Sequence, residues 1–286
     1  MKISRFFLFL FPVLSTGLFG ATVASSSSLW VSVPGNYDYL ADQQTGLASS
    51  DIVGTVSESG FFTTFNAGNL PTNGTLGFRL RLDDAGGNTN NPRFTSVAWV
   101  GVDGDRDGRL DVFVGANFQG STEELLIRTP GTGTNTSPST TTISNTSSFS
   151  YAPTASNYNY RAVNYLSDGG STNDSTPLTT GDPDYYMSFM IPFADLVSVL
   201  NSVGISADSA TPLRYVVATS NQTNSLNQDL GGVNGGVNSS VTWEDLGGFT
   251  PYINGNGLTV VPEPTIPGLI GLSGVFVLLR RRRVRS

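Results

Sequence analysis

Thr75-Leu76-Gly77-Phe78-Arg79-Leu80-Arg81-Leu82 alternates without a break: Leu76, Phe78, Leu80 and Leu82 fall on every second position, with Gly77, Arg79 and Arg81 between them. A period of two places alternate side chains on opposite faces of an extended chain, so this stretch predicts a strand with one face on a core and one in water. Comparable short runs, rich in aliphatic and aromatic residues and bounded by Gly, Asn, Asp and Pro, recur at 29–33, 60–65, 94–102, 110–115, 124–128, 158–166, 185–191 and 213–219. The run at 94–102 alternates less cleanly, with Val97 and Trp99 on one side. Many short strands separated by turn residues predict a mainly β chain, a single jelly-roll-like β-sandwich.

One short helix interrupts the pattern. Phe193, Leu196, Val197 and Leu200 recur at helical spacing, Pro192 suits the first helical position and Gly204 a stop. It reads as a crossover helix packed at one end of the sandwich. Residues 129–157 are mostly Thr, Ser, Asn, Gly and Pro, with few apolar side chains to bury, which predicts a long mobile insertion or an irregular excursion. Residues 231–240 read as a Gly/Asn/Val loop, and no repeat of solenoid or propeller period occurs.

Both ends have the composition of processing segments. Lys2 and Arg5 precede an apolar run from Phe6 to Leu14, and small residues follow up to Ala24, the pattern of a signal peptide over residues 1–24. At the other end Pro262-Glu263-Pro264 precede a 14-residue apolar run at 266–279, then Arg280, Arg281, Arg282, Arg283 and Arg285. As a helix that run is about 21 Å long, short of the ~20 residues a membrane span prefers. Gly268, Gly271 and Gly274 weaken it further, so it suits a transient anchor. The arginines would hold its end on the cytoplasmic side.

The order of these three parts resembles the PEP-CTERM sorting signal. That resemblance implies an exosortase that recognises Pro262-Glu263-Pro264 and removes the transmembrane sorting helix, after signal peptidase has removed the leader. It also implies a Gram-negative envelope, transient inner-membrane anchoring and a destination at the cell surface or in an exopolysaccharide matrix. The sandwich domain is then residues 25–261 and the sorting signal 262–286.

Setting aside the seven bases of the two ends and Glu263 leaves 8 of 15 bases, all Arg, against 21 of 22 acids, a charge near −13 for residues 25–261. Nucleic acid is therefore an unsuited partner, because binding it requires phosphate neutralisation by Lys and Arg. Cations are suited ones. The chain has no Cys and no His, which removes Cys–His and Ser–His chemistry and zinc sites of the usual N/S type. Carboxylates and oxygen-ligated metals remain.

The densest carboxylate pattern is Asp103-Gly104-Asp105-Arg106-Asp107-Gly108-Arg109-Leu110-Asp111. Acids stand at positions 1, 3, 5 and 9 of a loop, Gly108 at the turn position 6, and the Arg109 backbone carbonyl supplies a further oxygen at position 7. Four carboxylates in nine residues repel one another unless a cation lies among them, and Ca²⁺ takes six to eight oxygens. An EF-hand would need an acid at position 12, which is Val114. The segment is more similar to the calcium hairpins of FG-GAP repeats, an Asp-rich loop followed by an apolar strand. That likeness covers the loop and the strand Val112-Phe113-Val114-Gly115-Ala116, occurs once, and implies structural Ca²⁺ held by Asp103, Asp105, Asp107, Arg109 and Asp111.

No catalytic motif accompanies it. Glu58, Glu123, Glu124 and Glu244 are the only glutamates of residues 25–261, and none lies in a recognisable constellation. The chain thus reads as a non-enzymatic surface or matrix protein. A carbohydrate-binding module is the alternative, on the strength of Tyr37, Tyr39, Tyr158, Tyr160, Tyr165, Tyr185 and Tyr186; behind it stands a glycoside hydrolase using two facing carboxylates.

Overall fold

A computed structural model describes residues 23, 29–38, 42–45, 47–88, 90–175 and 182–261. The strands are β1 (Val31–Ser32), β2 (Phe61–Ala67), β3 (Gly74–Leu82), β4 (Gly87–Asn88), β5 (Asn91–Pro92), β6 (Val97–Asp103), β7 (Val112–Asn117), β8 (Glu124–Pro130), β9 (Ile143–Tyr151), β10 (Tyr158–Ala162), β11 (Tyr185–Pro192), β12 (Pro212–Ser220), β13 (Asp229–Leu230) and β14 (Ile253–Asn254). Three helices punctuate them: α1 (Tyr165–Asp168), α2 (Phe193–Ser202) and α3 (Trp243–Leu246).

The protein is mainly β, built on two antiparallel sheets. One runs β1-β2-β3-β11-β10; the other runs β13-β12-β6-β7-β8-β9, with β14 also on β12. A separate short hairpin pairs β4 with β5. The alternating Leu76, Phe78, Leu80 and Leu82 of β3 are all fully buried, in one core with Val100, Val102, Val112, Val114 and Tyr215 of the other sheet. Tyr215 shows how the sheets meet, with its ring 6.2 Å from Phe61 and 5.7 Å from Phe78, edge to face. Each such buried apolar side chain contributes about 1.5–3 kcal/mol.

The helix at 193–202 forms where the spacing predicts it, starting one residue later than expected, with Pro192 as the residue before the first turn. Pro192 is the last residue of β11, so its fixed φ serves the change from strand to helix. Phe193, Leu196, Val197, Val199 and Leu200 are buried, and α2 packs on β3, β7, β8 and β11, across the end of both sheets.

Several expectations are corrected. Arg79 and Arg81 do not face water: they are 1% and 0% exposed. The segment containing Trp30 and the segment around residues 168–175 cover that face. Arg79 lies over the rings of Trp30 and Tyr186, at 4.3 and 4.7 Å. Arg81 is paired with Asp184 and, at 2.9 Å, with Glu58. Period two locates a strand but says nothing of what later segments lay over its second face.

β6 is buried along its whole length, which explains its poor alternation. Its second face carries Val97 and Trp99 into a further apolar cluster with Phe113, Leu126, Ile143, Leu230 and Trp243. The stretch 129–157, expected as a mobile insertion, is ordered: it completes β8, makes a short helical turn at Pro138–Thr140 and forms β9 at the sheet edge. Its hydroxyls and amides are engaged locally, as where Ser137 and Thr140 cap that turn. Side-chain–backbone bonds of this kind substitute for the missing apolar burial. The signal peptide expected at 1–24 (Val23 apart) and the sorting tail expected at 262–286 lie outside the described residues.

Candidate metal centre

β6 and β7 pair from Val97↔Asn117 to Val102↔Val112, so residues 103–111 close a hairpin between adjacent strands. The connection begins inside the protein and loops outward. Asp103 is fully buried at the end of β6, Asp111 is half-buried, and Asp105, Asp107 and Arg109 are exposed. Gly108 takes φ +86°, where only glycine is unstrained, and Arg106 joins it in the left-handed region at +69°. Gly104 lies where a Cβ would stand 2.9 Å from Leu200 Cδ2, so α2 presses on the start of the loop.

The loop's own amides orient the carboxylates. Asp103 Oδ1 accepts from the Arg106 N–H at 2.7 Å, and its Oδ2 accepts from Gly108 at 3.1 Å. Asp111 Oδ2 accepts from Gly104 at 2.8 Å. Asp105 and Asp107 accept from the amides two residues on, at 3.1 and 3.0 Å. Oxygens of Asp103, Asp105 and Asp111 lie within 4.8 Å of one another, so this triad could hold a metal ion; Asp107 is not part of it. Burial pushes the Asp111 carboxyl up to about 6, and Asp105, Asp103 and Asp107 add to the shift, while the Gly104 amide opposes it. Burial also raises Asp103, against the pull of Arg214.

Arg214 is the residue sequence reading missed. On β12 it stands directly opposite Asp103, and its Nε donates to Asp103 Oδ2 at 2.7 Å. Its other arm reaches Glu244 at 2.5 Å, at the start of α3. No local pattern could have linked positions 103, 214 and 244; only the β6–β12 register brings them together. The low-complexity segment contributes too. The carbonyl of Asn135 accepts both the Leu110 amide at 3.1 Å and the indole of the buried Trp243 at 3.1 Å. The Arg109 side chain donates to the Thr134 carbonyl at 3.2 Å.

Two other acid groups could hold a metal ion: Asp38, Asp42 and Asp229; and Asp83, Asp174 and Asp184. In the second, Asp184 already has a cation in Arg81 and accepts from Ser175 N and Oγ at 3.0 and 2.7 Å.

Among the described residues, a cavity of 210 Å³ is lined by Trp30, Phe62, Arg79, Tyr186, Glu58 and Asp168 among others. Its aromatic rings are not platforms: Trp30 and Tyr186 are 7% and 4% exposed. Both carboxylates are engaged. Burial raises Glu58, but bonds from Ser171 and Arg81 outweigh it; burial raises Asp168, but Arg161 and the Asn164 amide outweigh it; both end below the ordinary carboxylate range. Set against protein-family models, curated proteins and solved structures, the chain matches none.

Proposed function

We propose that this is an exported, exosortase-processed surface or matrix protein whose mature part is a non-enzymatic, jelly-roll-like β-sandwich organised by structural Ca²⁺ in the 103–111 loop. The convergence of Asp103, Asp105 and Asp111 within 4.8 Å, on a loop whose amides fix each carboxylate, carries the metal half of that reading. Oxygen-only ligands on an irregular loop suit Ca²⁺ better than Mg²⁺, which demands near-ideal octahedral geometry. Asp107, which lies outside that triad, and the Arg109 carbonyl would be drawn in from the solvent side to complete the set. The ion stabilises the folded chain by mass action, about 2.7 kcal/mol at 100 times its Kd. It acts as a fold element, because its ligands come from one loop rather than from a cleft that admits a substrate.

The export half rests on Pro262-Glu263-Pro264, the apolar run and the terminal arginines, in that order. Catalysis by facing carboxylates is disfavoured because Glu58 and Asp168 are both held ionised by arginines, whereas a general acid needs a raised pKa. Sugar binding is disfavoured because Tyr158 and Tyr160 pack on the core and Tyr186 is buried.

Two measurements test the proposal. Calcium should raise the thermal midpoint of the wild type more than that of Asp105→Asn/Asp107→Asn; equal rises would remove the ion from the loop. Mass spectrometry of the secreted fraction should find chains lacking Arg280–Arg283, and intact tails would overturn the processing.

A further inference from the structure

The acids most in need of a cation are not in the loop. Asp51 follows the short helical turn Ala48–Ser50 and is 0% exposed. Both of its carboxylate oxygens are buried and accept no hydrogen bond of normal geometry. Asp229 opens β13 at 1% exposure, with its carboxylate fixed by the Ile52 amide at 2.6 Å and its own neighbour Leu230 at 2.7 Å. The bond to Ile52 sets it beside Asp51. Oxygens of Asp229, Asp38 and Asp42 come within 4.8 Å of one another. Asp42 is fixed through Oδ2 by the Gly235 amide, and its Oδ1 is buried without a hydrogen bond. No ion pair among the described residues includes Asp42, Asp51 or Asp229.

An ionised carboxylate in a dry site is costly unless paired, and several together compound the cost. Charge couples Asp51 to the group: after burial itself, Asp83, Asp38 and Asp42 push its carboxyl up to about 8 against the pull of the Asp42 amide, and Asp51 acts in the same way on Asp229. Amides aim Asp229 and Asp42, while Asp51 and the second oxygen of Asp42 are left with unused acceptors. That is what a ligand shell looks like and not what a solvated acidic turn looks like.

We propose that Asp38, Asp42 and Asp229, with Asp51 beside them but outside that 4.8 Å group, form a second, buried site for a hard divalent cation of the Ca²⁺ class. Its residues differ entirely from those of the 103–111 loop. The site joins three parts of the chain. Asp38 and Asp42 lie in the segment before the first long strand; Asp51 is tied to β3 through the Asp83 amide, which donates to the Asp51 carbonyl at 3.1 Å; Asp229 belongs to the other sheet. An ion there clamps the N-terminal segment to both sheets, where no disulfide can do so. Ca²⁺ fits better than Mg²⁺, which retains several waters that a site closed by buried carboxylates does not accommodate.

The test uses the full-length protein, stripped with chelator and dialysed against ⁴⁵Ca²⁺. Asp105→Asn/Asp107→Asn should still take up one ion per chain, and added calcium should raise its melting temperature by roughly 5–10 °C. Asp51→Asn/Asp229→Asn should lose that ion and keep the one in the loop. If the loop variant binds none and its melting temperature does not move, the cluster is neutralised by shared protons and the proposal is overturned. If the wild type binds a single ion and only the cluster variant loses it, the buried site stands and the loop reading fails. Should the cluster variant not fold, dialysis of the loop variant decides alone.

Discussion

The loop at 103–111 and the buried group around Asp51 are both crowded with aspartates, yet they solve the problem of like charge in opposite ways. The loop is written in nine consecutive residues and is partly neutralised by the protein itself, through its own amides and Arg214. The buried group is gathered from residues 38 to 229, and among the described residues Asp51 has no ion pair and no hydrogen bond of normal geometry on either oxygen. On the proposed reading a cation would refine the loop but would be required by the cluster whenever its carboxylates are ionised. Density of acids along the chain is a poor guide to need for a metal; burial without a partner is the better one.

The largest expected effect comes from removing the loop's internal cation. Arg214 is 7% exposed and Asp103 fully buried, so Arg214→Met leaves a buried carboxylate unpaired and should cost about 3–5 kcal/mol in urea denaturation under chelator. Calcium should then recover more stability than it gives the wild type. A loss under about 1 kcal/mol would mean that the loop does not depend on Arg214 and that the contrast between the sites is false.

The opposite sign is expected in the cluster. Asp51 titrates near 8 in the folded chain against 3.8 unfolded, so the folded state holds a proton the unfolded state releases. The resulting stability is full below about pH 4 and is lost as pH rises towards 8. In chelator, wild-type stability should fall across that whole range. Asp51→Asn should be more stable than wild type at pH 8, by about 2–4 kcal/mol. Its remaining pH dependence should come from Asp229, which burial holds well above the ordinary carboxylate range, and from Asp111 and Asp184, which titrate near 6. A flat wild-type profile would show that the cluster keeps neither proton nor charge problem.

Gly108→Ala separates backbone from ligand. At φ +86° the added Cβ meets nothing nearer than 3.9 Å, so the cost is conformational, about 1–2 kcal/mol, with or without calcium. A much larger cost in calcium alone would mean that the turn is set by the ion.

How legible each site was follows from how it is assembled. The β3 alternation, the helix at 193–202 and the loop aspartates are local patterns, and the chain shows them directly. Arg81 looked wet because its neighbours in sequence say nothing of Asp184 and Glu58 laid over it. Residues 129–157 looked unstructured because their order comes from hydroxyl and amide bonds rather than apolar burial, and Asn135 serves Trp243 across 108 positions. No sequence pattern singles out Asp51 or Asp229. They become a site only when Ile52 hydrogen-bonds to Asp229, a contact spanning 177 positions that no local pattern encodes.

The smallest effect is the most selective. Asp105 is exposed and its carboxylate meets only the amide of Asp107, so Asp105→Asn should change stability in chelator by no more than about 0.5 kcal/mol. In calcium the same change removes one charged ligand of the converging three, and the midpoint should fall relative to wild type while the buried site continues to respond. Loss of stability in chelator would instead make Asp105 a turn residue and the loop a hairpin closed by Asx bonds. A variant silent under both conditions would leave the four-aspartate spacing as turn chemistry, with the cation need of this protein residing wholly in the buried cluster.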